Sequence, residues 1–361
     1  GAIQVTAAGH AAVLNGGEIS SGTYSAGNAG AVKVFARNLI VDGAVGPADT
    51  SAGPLPVETQ QYYRTGFTST INASSAPGSS GHTGDVIVTV SDGIVLSNTG
   101  KINSDTFGSG DGGSVVVSAG SLLIDGGGRP GGACVFSPAC LSSGLAAVLS
   151  TGIFSQTFPF SAGNAGSIAV SASEQVSIVN GGSISSSTSA SGNAGSMSVS
   201  AGNLTIDGQG LMAVGNGIFS AAVPGSTGQA GSILVTARDQ LLLVNAGEIS
   251  SNTFGPGNAG SVLVSAGRLT IDGQGSFFAT GIGSDASFST GNAGSIQVTI
   301  AGSASIANGS RISSVTASAG DAGAVTVSAG SLTIDGRGSP FLTGITSNAA
   351  PGSTGNAGAI Q

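Results

Sequence analysis

Apolar positions alternate with small polar ones in short runs along the whole chain, and Gly, Asn and Asp bound the runs. Ser167-Ile168-Ala169-Val170-Ser171-Ala172 is one such run, and its counterparts place Val262, Val264, Ala266 and Val325, Val327, Ala329 in the same alternation. A second kind carries Val176 and Ile178, or Leu204 and Ile206. A third is Ile-x-Ser, at Ile19, Ile102, Ile153, Ile184, Ile218, Ile249, Ile282, Ile312 and Ile345, with Phe67/Ser69 read as its version in the second unit. Period-two alternation rich in β-branched residues predicts strands. With 64 Gly in 361 residues, the chain is unsuited to helix.

The runs recur in order. Gly-Asn-Ala-Gly or a variant begins at Gly27, Gly81, Gly110, Gly163, Gly192, Gly228, Gly257, Gly291, Gly320 and Gly355. A fixed unit of 29 residues therefore alternates with a longer, variable one. Counting a first unit that starts near residue 1, about ten coils are present, all in one domain over residues 1–361. Three strands per repeat predict an all-β fold, a right-handed parallel β-helix of triangular section. Stacked at about 4.8 Å per coil, ten coils make a rod of roughly 48 Å. Inward Ala and Ser are expected because such an interior is narrow.

The corners follow turn chemistry. Fixed units end their second strand in Asn-Gly (Asn15, Asn180, Asn308) or in the variants Asn98-Thr99 and Asn245-Ala246. Variable units end it in Asp-Gly, at Asp42, Asp125, Asp207, Asp272 and Asp335. Both pairs suit positive-φ turns. Alternation along the axis also keeps the carboxylates about 9.6 Å apart and lets amides between them donate. The Asp file is thus read as structural, with a bound cation or chemistry as the weaker alternatives.

Composition narrows the function classes. Only 7% of residues are charged, against about 25% in ordinary domains, and the net charge is −8 with two Lys, Lys33 and Lys101. Basic patches for nucleic acid are absent. No apolar run approaches the roughly 20 residues of a membrane-spanning helix. Gly1-Ala2-Ile3-Gln4 repeats as Gly358-Ala359-Ile360-Gln361, so both ends read as cuts in a longer protein, with end-to-end continuation or stacking expected. Outward Ser or Thr in the first strand, from Thr6 to Ser328, raises an ice-binding face as an alternative. Outward Ile40, Val95, Leu234 and Leu263 favour sideways packing of rods instead.

Two long connections, 43–66 and 126–152, leave from the same corner in the second and fourth coils. They carry Tyr62, Tyr63, Arg64, Arg129 and Phe136, residue types that favour binding surfaces. Cys134 and Cys140, the chain's two cysteines, are expected to form a loop-closing disulfide in an oxidising compartment. His10 and His82 fall in unrelated parts of the repeat, and no Ser/His/Asp grouping emerges. No catalytic, metal-binding or cofactor-binding residues are assigned, and a non-enzymatic protein is expected. A polysaccharide-active β-helix is the alternative.

The Gly-Asn-Ala-Gly-Ser-Ile-x-Val-x-Ala unit, followed by Leu-Thr-Ile-Asp-Gly and Ile-x-Ser, resembles the repeats of filamentous-haemagglutinin-like exoproteins. The resemblance covers nearly the whole chain. It implies export by two-partner secretion through an outer-membrane transporter, and an extracellular or cell-surface rod used in adhesion, aggregation or coating. A cell-surface glycan or protein receptor and self-association are the partners it suggests. The family's secretion domain, with its Asn-Pro-Asn-Gly-like motif, has no counterpart here.

Overall fold

A computed structural model describes residues 1–43, 68–127, 150–209, 215–287, 290–317 and 319–361. These residues form a parallel β-solenoid, wound right-handed as parallel β crossovers are. Every strand pairs in parallel with its counterpart one coil away. The third strands make one continuous face of ten, from Glu18–Thr23 to Gly344–Ala349. Ten strands span nine steps, roughly 43 Å at about 4.8 Å each.

The other two faces merge. In the first three coils the second strands His10–Leu14, Asn38–Asp42 and Gly93–Ser97 are separate elements. From Val115–Asp125 onward the first and second strands run as one bent strand, with a register shift at Ala119/Ser121. The bend keeps its backbone bonded, since Ser121 N–H donates to the Asp92 carbonyl at 2.8 Å. Two of the three predicted faces therefore share one sheet of 13 strands.

Inward residues stack in files. Ile71, Ile102, Ile153, Ile184, Ile218, Ile249, Ile282 and Ile312 are all fully buried in the third face. The second coil corrects the sequence reading: Ile71, not Phe67, pairs with Ile19 and Ile102, and Ala73 takes the Ser position. Ser69 serves the turn instead. Its hydroxyl accepts from Gly16 N–H at 3.1 Å and donates to the Asp42 carbonyl at 2.7 Å. Thr151, Thr280 and Thr343 accept from the turn amides of Thr99, Ala246 and Gly309 in the same way. The described third strands resume at Thr70 and Thr151 after the two long connections.

The inward Ser file has a chemical duty beyond its small size. Ser186, Ser220, Ser251 and Ser314 hydroxyls accept from the amides of Gly195, Gly231, Gly260 and Gly323 at 2.7–2.8 Å. Each of those glycines closes a Gly-Asn-Ala-Gly corner or its Gln229 or Asp321 variant. A buried amide there needs an acceptor, and only a short hydroxyl fits beneath it. The corner glycines are held by contact along the axis: a Cβ at Gly195 would lie 2.0 Å from the Gly166 carbonyl oxygen.

Candidate functional site

Eight of the residues singled out in the sequence, Tyr62, Tyr63, Arg64, Phe67, Arg129, Cys134, Phe136 and Cys140, lie outside the described residues. The Asp file is described, and its carboxylates are engaged in turns. Asn98, Asn180, Asn245 and Asn308 donate side-chain amide bonds of 2.8–3.0 Å to Asp42, Asp125, Asp207 and Asp272. Asp125, Asp207 and Asp272 also accept from the backbone N–H two residues on. Asp335 is held instead by Arg337, whose hydrogen bonds bring its carboxyl down to about 2. His82 stands in the Asn file of the Gly-Asn-Ala-Gly corner, its Nδ1 accepting from Asp111 N–H at 3.0 Å.

The structure draws attention to a surface the sequence reading passed over, the outward positions of the third face. Elsewhere outward side chains meet solvent, as Leu234 does at 47% exposure. On the third face those of the inner coils are sheltered: Lys101 and Asn103 are 8% exposed, Phe154 4%, Ser250 1% and Ser313 2%. Charged groups at such positions are costly to bury and therefore carry information.

Two groups of them stand out. In the third coil, burial lowers Lys101 to about 8 and raises Asp105 to about 6, each opposed by the other's charge. Asn103 Nδ2 donates to Asp105 at 2.7 Å, and Gln156 N–H donates to it at 3.1 Å. The Lys101 ammonium sits 5.9 Å from the Phe154 ring centroid, a cation–π distance. These contacts pair the two charges, while Asn103 Oδ1 is buried without a hydrogen-bond partner.

The second group is open. Glu248, Gly281 and Arg311 occupy one outward file on three successive coils, and Ser250, Gly283 and Ser313 the next. Asp285 follows in the third file. With two glycines at its centre, the surface sinks into a hollow of about 30 Å³, lined by these residues other than Ser250, together with Ala279, Thr280 and Ile282. Gly281 has no alternative, since its φ is +149° and a Cβ would lie 1.8 Å from the Arg311 carbonyl oxygen. Gly283 is different: a Cβ would meet nothing closer than 3.5 Å. Its file holds Phe154 and Phe219 in other coils, so backbone geometry does not demand the missing side chain.

Burial raises the Glu248 carboxyl to about 7, helped by the nearby Asp285 and opposed by a Ser250 hydrogen bond and Arg311. Burial likewise raises Asp285 to about 6, opposed by Arg311 and by the Val315 amide. Folded carboxyls that hold protons more tightly than the unfolded chain destabilise it as pH rises through the interval between the two values. Glu248→Gln should therefore gain stability relative to the parent by about 1–2 kcal/mol between pH 5 and pH 8. Denaturant titrations at the two pH values measure it. A difference that stays constant with pH would show that the carboxyl titrates alike in both states.

A signal for this hollow exists in the sequence. Glu248 and Arg311 directly precede the Ile of Ile-x-Ser, and Asp285 directly follows its Ser. Charges flanking that motif are rare enough in this chain to notice, but only coil-to-coil register brings them together. The chain matches no family model, no curated protein and no solved structure.

Proposed function

We propose that this chain is a rod segment of an exported surface protein of the filamentous-haemagglutinin kind, serving as a non-enzymatic adhesive or coating scaffold. On this reading it crosses the outer membrane by two-partner secretion and stands outside the cell. The supporting observation is the unbroken third face, ten parallel strands in register with an Ile core file and a Ser–Gly bond at corner after corner. Such a ladder is stiff and can be lengthened by adding coils. Its variable connections leave from one corner, which suits display of binding segments along a shaft. Exposed Leu234 and Leu263, paired on adjacent coils, give the shaft an apolar strip for lateral association.

Antibody labelling of intact cells of the source organism tests the location. Signal before permeabilisation is expected, together with elongated particles of the purified protein in electron micrographs. Signal only after permeabilisation would reject the surface role.

A further inference from the structure

We infer that the hollow between Glu248, Asp285, Arg311 and Ser313 is a saccharide-binding site, with the phenylalanines beside it as the platform for the sugar ring. This deepens the surface-rod reading by giving the shaft a ligand class.

Three independent observations carry it. The first is the hollow itself, left open at Gly283, where backbone geometry would accept a side chain. Glu248 Oε1 and Asp285 Oδ2 each lie 3.9 Å from the point a Gly283 Cβ would occupy, so both carboxyls converge on the space. The second is unengaged hydrogen-bonding capacity. Ser313 lines the hollow and is 2% exposed, and among the described residues nothing pairs with its hydroxyl. The Arg311 guanidinium lines the same space and makes no hydrogen bond among the described residues, although its charge acts on Glu248 and Asp285. Neither group is sealed from solvent, so both are free to take a partner that enters the hollow.

The third observation is the aromatic ledge. Phe277 is 81% exposed and meets Phe278 and Phe341 edge-on at 5.9 and 6.0 Å. Phe278 is followed directly by Ala279 and Thr280, which line the hollow. An exposed phenylalanine cluster that leads directly in the chain to the lining of a polar notch suits a ligand with one apolar face and a polar edge.

Charge selects among ligand classes. A metal cation would meet the guanidinium, and a phosphate or sulfate would meet two carboxyls. A neutral polyol satisfies both sets, because each hydroxyl donates once and accepts twice. Its hydroxyls can accept from Arg311 and Ser313 while donating to Glu248 and Asp285. The hollow is too small for a ring, so the ring lies over the phenylalanines and its hydroxyls reach down.

The test uses the whole chain on an array of neutral hexose oligosaccharides, followed by calorimetric titration with the strongest binder. Gly283→Phe fills the hollow with a side chain that the same file carries at Phe154 and Phe219, and Phe277→Ser removes an exposed ring without touching the core. At least tenfold weaker binding is expected in the first and at least threefold in the second, with melting temperatures near the parent's. Absence of saccharide binding by the parent overturns the inference, as does binding unchanged in both variants. Saturable binding of calcium chloride or sodium sulfate at the hollow, abolished by Gly283→Phe, with no saccharide bound, would also overturn it. Release of reducing ends that disappears in Glu248→Gln would replace the receptor with a hydrolase. Saccharide binding by a chain that fails surface labelling would sink the rod reading and leave the hollow standing.

Discussion

Ile184→Asp or Ile249→Asp, made singly, is expected to abolish the cooperative melting of the coils around the substitution. Both side chains are fully buried in the Ile file of the third face, each packed between identical residues above and below. Removing either loses roughly 1.5–3 kcal/mol of apolar burial, and the carboxylate that replaces it has no partner in the file. An uncompensated buried charge adds several kcal/mol more, so a total beyond about 5 kcal/mol is expected, in the range where single substitutions unfold proteins. Ile249→Val is the control, expected to cost about 0.5–1.5 kcal/mol. Circular dichroism melts and limited proteolysis read the difference. If the Asp variants melt with the parent, Ile249 faces outward and the strand register is displaced by one residue.

Gly231→Ala should be nearly as damaging, for a purely steric reason. A Cβ there would stand 2.1 Å from the Gly195 carbonyl oxygen and 2.5 Å from its carbon. Neither atom can step aside, because both belong to the backbone of the preceding coil. The coils would have to separate at this corner, straining the Ser220 bond to the Gly231 amide and the parallel pairing of the flanking strands. Over-packing of this kind costs about 3 kcal/mol or more. Gly283→Ala supplies the comparison, since its Cβ finds ordinary contact distances and should shift the melting temperature little. Equal losses at the two sites would mean that glycine matters in this chain for flexibility and not for axial contact.

Much of the architecture is legible in the sequence alone. Alternation over a few residues settles which side of a strand each residue takes, and turn pairs such as Asn180-Gly181 adopt the predicted positive-φ conformation, 54° and 86°. Three alternating segments repeated in order leave little besides a parallel solenoid. The Asn–Asp file was readable too, because its residues sit at fixed places in every repeat and local geometry alone brings them to the corner.

The errors and omissions fall where local pattern and stacking diverge. Phe67 reads as a member of the Ile file because it is apolar and two residues before a Ser. The register selected Ile71, whose neighbours Ile19 and Ile102 set the position, and it left Ser69 to hold a turn amide. Inward serines looked like small fillers, yet their partners are glycine amides about ten residues further on, reached only when the chain has rounded the corner. The hollow was the least visible feature. Glu248, Asp285 and Arg311 are separated by 37 and 26 positions in the chain, and nothing local distinguishes them from solvated charges. Pattern within a strand determined the fold, because side-chain direction is a local property of the backbone. Which outward residues share a site, and which of them are buried, was decided by pairing across whole coils, because variable connection lengths set that register and only the stacked faces exclude water.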